Sequence, residues 1–349
     1  MVRNRTWLAP LTNQQSHDDG SVSDDELEWL AMRARGGFGV VETCAAHVAR
    51  DGQGWAGELG VFDDRLVPGL TRLASTIRDA GALGIVQLFH GGLRAPAALI
   101  GETPWTATAR SDTEPYAREA TLADIARVKD QFRDAAVRAH AAGFAGVELH
   151  GAHGYLLCQF LSSTMNARDD EWGGSLDGRA RLLRETLRAV RSAVPASFAV
   201  GVRLSPEDFG YARGLDLDES LQVARWLTDD GADFIHISLW DAQANTQKRP
   251  EEHAIPLFRA ALPDDVALIV AGAVWTRDDA EALLRRGATA VAIGRAAIAN
   301  PRWATGVADE LWLPRRPPLT IDELRERGLN ATFAGYMRRW KGFVADDAP

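Results

Sequence analysis

Two histidines and a tyrosine lie close together in the segment His-Gly-Ala-His-Gly-Tyr at residues 150–155. Because only small residues separate the imidazoles, His150 and His153 can converge on one ligand atom. Two N–H donors aimed at a carbonyl oxygen would polarise it and stabilise a developing enolate. A phenol has an ordinary pKa of about 10, so Tyr155 is a competent proton donor to a carbanion-like carbon. The spacing predicts a site that polarises a carbonyl compound and protonates it.

A metal ion is the alternative ligand for these imidazoles. Zinc takes three or four protein ligands, and His90 could supply a third nitrogen beside His150 and His153. No acidic residue follows at the spacing of a familiar metalloenzyme motif. We therefore prefer carbonyl polarisation and predict no metal, with a metal-dependent hydrolase as an alternative.

Two further polar residues end or interrupt apolar segments. Gln87 offers donors and an acceptor, which suits a ring with an N–C=O edge such as the pyrimidine of a flavin. Arg203 lies within an apolar segment, where a guanidinium is costly unless an anion or an electron-rich group pairs with it. It could stabilise the negative charge of a reduced flavin or form an ion pair with Glu148. From the residues alone both interpretations stay open.

Glycine-rich turns follow two late apolar segments, at Gly272-Ala273 and Gly294-Arg295. Glycine lets the backbone approach a ligand closely, and free N–H groups and the start of the next helix attract an anion. Arg295 adds a fork of further donors. Since turns after the last two strands of a barrel commonly bind phosphate, this pair predicts a phosphate site.

Eight short apolar segments alternate with helical patterns along the chain. Continuous apolar strands indicate a parallel sheet covered by helices. The predicted strands are residues 7–10, 38–42, 85–89, 146–150, 198–204, 234–238, 267–271 and 290–293, and the predicted helices are residues 24–35, 65–80, 122–142, 177–194, 218–230, 252–262, 277–286 and 301–311. This order predicts an α/β fold, a single (β/α)₈ TIM barrel with its chemistry at the carboxyl ends of the strands. A doubly wound open sheet is the alternative, although no Gly-x-Gly-x-x-Gly turn follows the first strand.

Two segments lie outside the eight strand–helix units of a minimal barrel. Residues 91–118, after the third strand, predict an excursion that caps the barrel, and residues 313–349 predict a helical tail behind a proline-rich linker. We therefore assign a barrel domain to residues 1–312. The extension at 313–349 is expected to pack on the barrel or on a neighbouring subunit.

The composition limits the classes of binding partner and the cellular compartment that we expect for the protein. The chain has 48 acidic and 39 basic residues and a formal net charge of −9, which argues against nucleic acid and against an anionic membrane as partners. No apolar run approaches the ~18 residues of a membrane span, and the first twelve residues contain no signal-peptide core. Two cysteines exclude a disulfide scaffold and a four-cysteine iron–sulfur site. We expect a cytoplasmic protein.

The segment at 150–162 carries a resemblance to a known family. Its sequence, His-Gly-Ala-His-Gly-Tyr-Leu-Leu-Cys-Gln-Phe-Leu-Ser, and its continuation at 166–175 resemble the old yellow enzyme family of FMN-dependent ene-reductases, also described as NADH:flavin oxidoreductases. Further matches lie at residues 9–12, 87–92 and 203–206. The resemblance covers about residues 4–303, and it implies an FMN-binding barrel reduced by NADPH or NADH.

The resemblance implies a role for each matched residue. His150 and His153 would bind the substrate carbonyl, and Tyr155 would donate the proton. The residues implied to hold the ring or the phosphate of FMN are Ala9, Pro10, Leu11, Thr12, Thr43, Gln87, Arg203, Gly272, Ala273, Gly294 and Arg295.

Some positions depart from the family pattern. Thr43 stands where the family usually has Ala or Gly, so its contact with the flavin would differ. Gln14 occupies a position where some bacterial members carry a substrate-contacting Tyr, so that role does not carry over. In the tail, Arg338 or Arg339 would reach the site of a neighbouring subunit, which would accord with a homodimer.

The sequence thus predicts an FMN-dependent NAD(P)H oxidoreductase. We expect it to reduce the activated C=C bond of an α,β-unsaturated carbonyl or nitro compound by ping-pong hydride transfer, with a small electrophilic alkene as its partner. A flavin-dependent dehydrogenase or demethylase on the same fold is the first alternative. A metal-dependent hydrolase and a flavin-binding protein without catalysis follow it.

Overall fold

Eight parallel strands close into a barrel in the computed structural model, which describes residues 2–111 and 114–345. The strands are β1 (Thr6–Leu8), β2 (Val40–His47), β3 (Leu83–Phe89), β4 (Gly146–Gly151), β5 (Ala199–Leu204), β6 (Phe234–Ser238), β7 (Ala267–Ala271) and β8 (Ala290–Ile293). The barrel closes because β1 pairs with both β8 and β2, so that Trp7 lies opposite Ala292 on one side and Val40 on the other. The predicted (β/α)₈ barrel is confirmed.

Helices on the outside connect the strands. They are α1 (Asp24–Arg35), α2 (Val67–Asp79), α3 (Leu122–Ala141), α4 (Leu176–Ala193), α5 (Leu217–Asp229), α6 (Ala254–Ala261), α7 (Arg277–Arg285) and α8 (Arg295–Ala299). Thr121 and Thr276 begin α3 and α7 with reciprocal capping boxes, which satisfy the free N–H groups of the first turn. The apolar faces of these helices are buried against the strands, with Phe132 and Leu183 fully inaccessible.

The last barrel helix differs from the prediction at residues 301–311. The chain becomes helical directly after Gly294, forms α8, and breaks at Asn300 before a second short helix, Trp303–Gly306. Pro301 disfavours helical backbone at the residue before it, and Asn300 accordingly has φ −137° and ψ 85°.

Short secondary-structure elements lie outside the eight strands and eight helices of the barrel. They are the strands Leu59–Gly60, Trp105–Thr106 and Arg118–Glu119, the helices Ala97–Ile100, Leu156–Leu161, Ile321–Glu326 and Ala331–Tyr336, and the 3₁₀ turns Arg50–Gly52, Asp64–Leu66, Gly92–Arg94 and Met337–Arg339. The tail packs on its own barrel, since the Phe333 ring lies 5.5 Å from that of Trp29 on α1. No helix in the described ranges has both the length and the apolarity needed to cross a membrane.

Two kinds of side chain fill the inside of the barrel. Strands β2 to β6 contribute a set that we call the charged half, consisting of Glu42, Gln87, Glu148, Arg203 and His236. Strands β7, β8 and β1, with the residue that follows β1, contribute a set that we call the apolar half, consisting of Ile269, Ala271, Ala290, Ala292, Trp7 and Ala9. This set packs against Val40, Ile85 and Phe234, which lie toward the amino ends of β2, β3 and β6. Because side chains alternate along a strand, each set faces the barrel axis while its neighbours in sequence face the helices.

Candidate active site

The carboxyl ends of the strands surround a cavity of about 310 Å³. All but one of the predicted site residues line it, namely Ala9, Pro10, Leu11, Thr12, Gln87, His150, His153, Tyr155, Arg203, Gly272, Ala273, Gly294 and Arg295. The structure therefore brings together groups that lie almost 290 residues apart in the sequence. Their individual roles stay predictions.

Thr43 is the exception. Its side chain is fully buried, and its hydroxyl donates to the carbonyl of Cys44 at 2.7 Å. A bulge in β2 between Glu42 and Ala45 shifts the pairing, so that Ala45 lies opposite Gln87 and lines the cavity. The cavity is therefore lined by Ala45 rather than by Thr43, and the flavin contact of Thr43 stays a prediction.

The two histidines form one hydrogen-bonded chain. The backbone N–H of Ala152 donates to Nδ1 of His150 at 3.3 Å, so the ring proton of His150 is assigned to Nε2. That Nε2 lies 3.2 Å from Nδ1 of His153, whose own Nε2 lies 2.7 Å from Oγ of Ser238. Each imidazole thus carries its proton on Nε2 and offers one N–H donor.

Burial sets the protonation states of the reacting groups. It lowers the pKa of His150 to about 3, and the charge of Arg203 adds to the effect. The same causes place the pKa of His153 well below its ordinary value. Burial raises the pKa of the Tyr155 phenol to about 12, against the opposing charge of Arg94. At neutral pH the site therefore holds two neutral imidazole donors and a protonated phenol.

The loop after β4 holds Tyr155 between two aromatic rings and a cation. Its ring lies edge-on to Phe89 at 4.5 Å and to His150 at 5.0 Å, and the guanidinium of Arg94 lies 4.2 Å from its centroid. Arg94 also donates to the carbonyl of His153 at 2.9 Å. His153 has φ 58°, a left-handed conformation that few side chains adopt. These contacts fix the turn that brings the phenol back over the imidazoles.

An acid pair lies below the cavity in the charged half. Glu148 accepts hydrogen bonds from Nε2 of Gln87 and Nδ1 of His236, both at 2.7 Å. Burial alone would raise the pKa of Glu148, but His236 and Arg203 outweigh it and lower that pKa below its ordinary value. Burial, and then the charge of Glu148, raise the pKa of Glu42 well above its ordinary value. Glu148 is therefore the ionised member of the pair and Glu42 the protonated one.

The geometry does not assemble the metal site considered from the sequence. Nε2 of His90 lies 3.6 Å from a carboxylate oxygen of Asp51, away from His150 and His153. Within the described parts of the chain, the group with metal-ligand spacing is that of Glu42, Glu148 and His236. Those side chains already bond to one another and to neighbours below Arg203, whose positive charge opposes a cation there.

One end of the cavity fits a planar, electron-rich ring. Arg203 is buried, its Nη2 donates to Oγ of Ser238 at 3.1 Å, and its Nε has no hydrogen-bond partner among the residues that the structure describes. An unpaired buried donor costs free energy, so this Nε points to an acceptor on a ligand. The amide nitrogen of Gln87 is occupied by Glu148, which leaves its carbonyl oxygen for a ring N–H.

The opposite end fits a phosphate. A Cβ on Gly272 would lie 2.7 Å from the carbonyl oxygen of Leu239, so no other residue fits at this turn without a shift of the backbone. A Cβ on Gly294 would meet only Leu11, at 3.7 Å, so this turn is open toward the cavity. No carboxylate of the described residues lies within 4.0 Å of the Arg295 guanidinium. This end can therefore take a multiply charged anion.

Several cavity residues were not predicted from the sequence. Ser238 ends the predicted strand 234–238, so the strand-end rule that singled out Gln87 also points to it. Tyr336, Met337 and Trp340 of the tail line the cavity as well, and no local motif marks them.

Comparison with known proteins agrees with this geometry. The sequence matches the NADH:flavin oxidoreductase / NADH oxidase family over residues 1–313. A probable NADH-dependent flavin oxidoreductase of Bacillus subtilis is 34% identical over 316 residues, which cover 88% of this chain and 84% of that protein. NADH:acrylate oxidoreductase of Vibrio harveyi is 33% identical, and the matched region is 87% of this chain but only 31% of that protein.

A solved structure shows the same fold. The old yellow enzyme homologue from Zymomonas mobilis matches with a TM-score of 0.81 and 28% identity, over 93% of this chain and 92% of that chain. The resemblance to old yellow enzymes is confirmed, and FMN with NADH or NADPH is the cofactor pair of such enzymes. The chain belongs to the NADH:flavin oxidoreductase / NADH oxidase family.

Proposed function

We propose that the protein reduces the activated C=C bond of α,β-unsaturated carbonyl compounds, and of nitroalkenes, with electrons from NADH or NADPH. One observation carries the proposal: two neutral imidazole N–H donors and a buried phenol, from His150, His153 and Tyr155, line one cavity. The acrylate named in the relative from Vibrio harveyi is itself an activated alkene. When bound, FMN supplies the hydride chemistry.

The imidazoles act on the oxygen of the substrate. In this structure the Nε2 protons of His150 and His153 face Nδ1 of His153 and Oγ of Ser238, and a bound substrate would exchange those hydrogen bonds for bonds to its carbonyl or nitro oxygen. Because both rings stay neutral at pH 7, they hydrogen-bond to negative charge without transferring a proton to it. This polarises the alkene and makes its β-carbon electrophilic.

Tyr155 completes the addition. Reduction of a C=C bond needs a hydride at the β-carbon and a proton at the α-carbon, and the phenol of Tyr155 would supply the proton. The phenolate left behind would be stabilised by the guanidinium of Arg94, which lies 4.2 Å from the ring centroid. A solvent proton would then restore the phenol.

The nicotinamide and the alkene would use this cavity in turn. Both would enter the space beside Tyr155, which is lined by the tail and by the loops after β5 and β6. We therefore propose a ping-pong order in which the oxidised dinucleotide leaves before the alkene binds.

An anaerobic two-step experiment tests this function. The holoenzyme is first reduced with one equivalent of NADH or NADPH and then mixed with cyclohexenone, acrylate or nitrostyrene, and flavin absorbance and products are recorded. We expect rapid return of the oxidised flavin spectrum and one equivalent of saturated product with at least one alkene class. If no alkene restores the spectrum while oxygen does, the proposal is contradicted.

A further inference from the structure

A second cavity, of about 450 Å³, adjoins the first. Four side chains line both cavities, namely Thr12, Trp55, Tyr155 and Tyr336. The lining of the second cavity also contains the guanidinium groups of Arg94 and Arg339 and no carboxylate. The phenol of Tyr155 therefore stands between the reaction site and a positively charged chamber.

The two arginines of this chamber lack acidic partners. No carboxylate among residues 2–111 and 114–345 lies within 4.0 Å of Arg94 or Arg339, although the chain carries a net charge of −9. Other arginines pair closely, as Arg118 does with Asp124 at 2.6 Å. A cation without a counterion beside a cavity, in an acidic protein, indicates that a ligand supplies the negative charge.

Aromatic rings hold these cations by their faces. Arg94 lies 4.2 Å from the ring centroid of Tyr155 and 4.1 Å from that of Tyr211. Arg339 lies 5.0 Å from the ring centroid of Tyr336. Stacking engages the planes of the guanidinium groups. Nη1 of Arg94 also donates to the carbonyl of His153, which leaves the other edge N–H donors of the two arginines for an anion.

We propose that Arg94 and Arg339 form an anion subsite for a carboxylate or phosphate group of the molecule that reacts beside Tyr155. The inference rests on the proposed function, which it deepens by naming a charged group on the reactant. The phosphate end of the FMN site is a different place, since Arg295 lines only the first cavity. Two reactants could bring the anion: an alkene with an acidic substituent, or the dinucleotide with its phosphates.

The first experimental arm compares acids with their esters. Three enones that carry a carboxylate at increasing distance from the alkene, and their methyl esters, are titrated into the oxidised holoenzyme and then turned over. We expect Arg339→Gln to weaken binding and kcat/KM for the best acid about tenfold and to change its ester less than about twofold. Arg339→Lys should restore part of the loss, because it keeps the charge but not the planar fork.

A matched control is the nearby Lys341→Gln. Lys341 is exposed in the same tail and lies outside the lining of both cavities. It removes the same charge from the same surface, so long-range electrostatics alone would make the two variants equal. A loss for the acids that is equal in both variants would overturn the subsite.

The second arm examines the dinucleotide. The Kd and rate of flavin reduction are measured with NADH and NADPH in the wild type and in Arg339→Gln. A loss confined to this half-reaction assigns the subsite to a phosphate, and a loss confined to the acidic enones assigns it to the substrate. No loss in either arm overturns the proposal.

A charge placed in the chamber gives an independent test. Gln14 also lines the second cavity, and Gln14→Glu adds a negative charge at nearly constant shape. It should weaken binding of the same anion about tenfold and leave esters unchanged. Because binding to the oxidised holoenzyme is read without turnover, a failure of the proposed reduction would leave acid binding intact. A failure of the subsite would instead leave ester reduction intact.

Discussion

The charged half and the apolar half of the barrel interior are enclosed by the same sheet but differ in chemistry. In the apolar half, Nε1 of Trp7 is the one side-chain polar atom, and it donates to Oε2 of Glu42 at 2.8 Å. In the charged half, Glu148, Glu42 and Arg203 are buried together at a cost in desolvation. The charged half lies directly under the imidazoles and the phenol, which indicates that its charges serve the site rather than the stability of the fold.

The largest effect is expected from Arg203→Leu. The change removes the guanidinium charge that, together with His236, lowers the pKa of Glu148, and it removes the donors aimed into the cavity. We expect a loss of about 4 kcal/mol in the free energy of unfolding and a rise of about 100-fold in the Kd for FMN. Chemical denaturation and cofactor titration measure both. An unchanged Kd would show that the charged half does not serve the ring.

Next in size is the acid pair, where the two carboxyl groups should behave differently. Glu148→Gln removes the ionised member and should cost about 2 kcal/mol of stability, because Arg203 loses its main opposing charge and His236 loses a charged acceptor. Glu42→Gln replaces a protonated acid by an amide of the same shape and should cost less than about 1 kcal/mol. In the double variant, position 42 can no longer ionise in place of position 148. The loss in the free energy of unfolding should therefore exceed the sum of the losses in the two single variants.

Equal costs for the two single variants would contradict the assigned protonation states. Denaturation curves at pH 7 are sufficient for the comparison, provided that all three variants are measured without FMN as well as with it.

A conservative change in the apolar half should affect stability alone. Ile269 is fully buried, and Ile269→Val removes one methylene, which should cost about 1 kcal/mol. The Kd for FMN should stay within about twofold of the wild-type value. A clear loss of FMN affinity in this variant would mean that both halves support the cofactor.

The smallest effect concerns pH. The pKa of His150 is about 3 in the folded chain and 6.5 ordinarily, so the stability linked to it is complete above pH 6.5 and is lost as pH falls toward 3. We expect the contribution of His150 to lower the free energy of unfolding by about 1 kcal/mol at pH 5.5 relative to pH 7. His150→Asn should flatten that part of the stability profile. A stability profile with equal slope in this variant would contradict a neutral, buried imidazole.

The sequence predicted the parts of the site that depend on local spacing. The turn from His150 to Tyr155 and the glycines at 272 and 294 lie where strand-end positions and small residues indicated. Thr43 lies outside the cavity lining because of a bulge in β2, which depends on the pairing with β3 and which no single segment reveals. The family resemblance pointed to Arg338 or Arg339 in the tail, but the positions of Tyr336, Met337 and Trp340 at the cavity depend on packing across the whole chain, which no local pattern shows.

The most direct test of the central claim separates the two half-reactions in Tyr155→Phe. This variant removes the proton donor and keeps the ring that packs on Phe89 and His150. In anaerobic stopped-flow experiments we predict flavin reduction by NADH or NADPH within about twofold of the wild-type rate and reoxidation by an enone slowed about 100-fold. Reoxidation at the wild-type rate, or equal slowing of both steps, would contradict the role of Tyr155 as the proton donor.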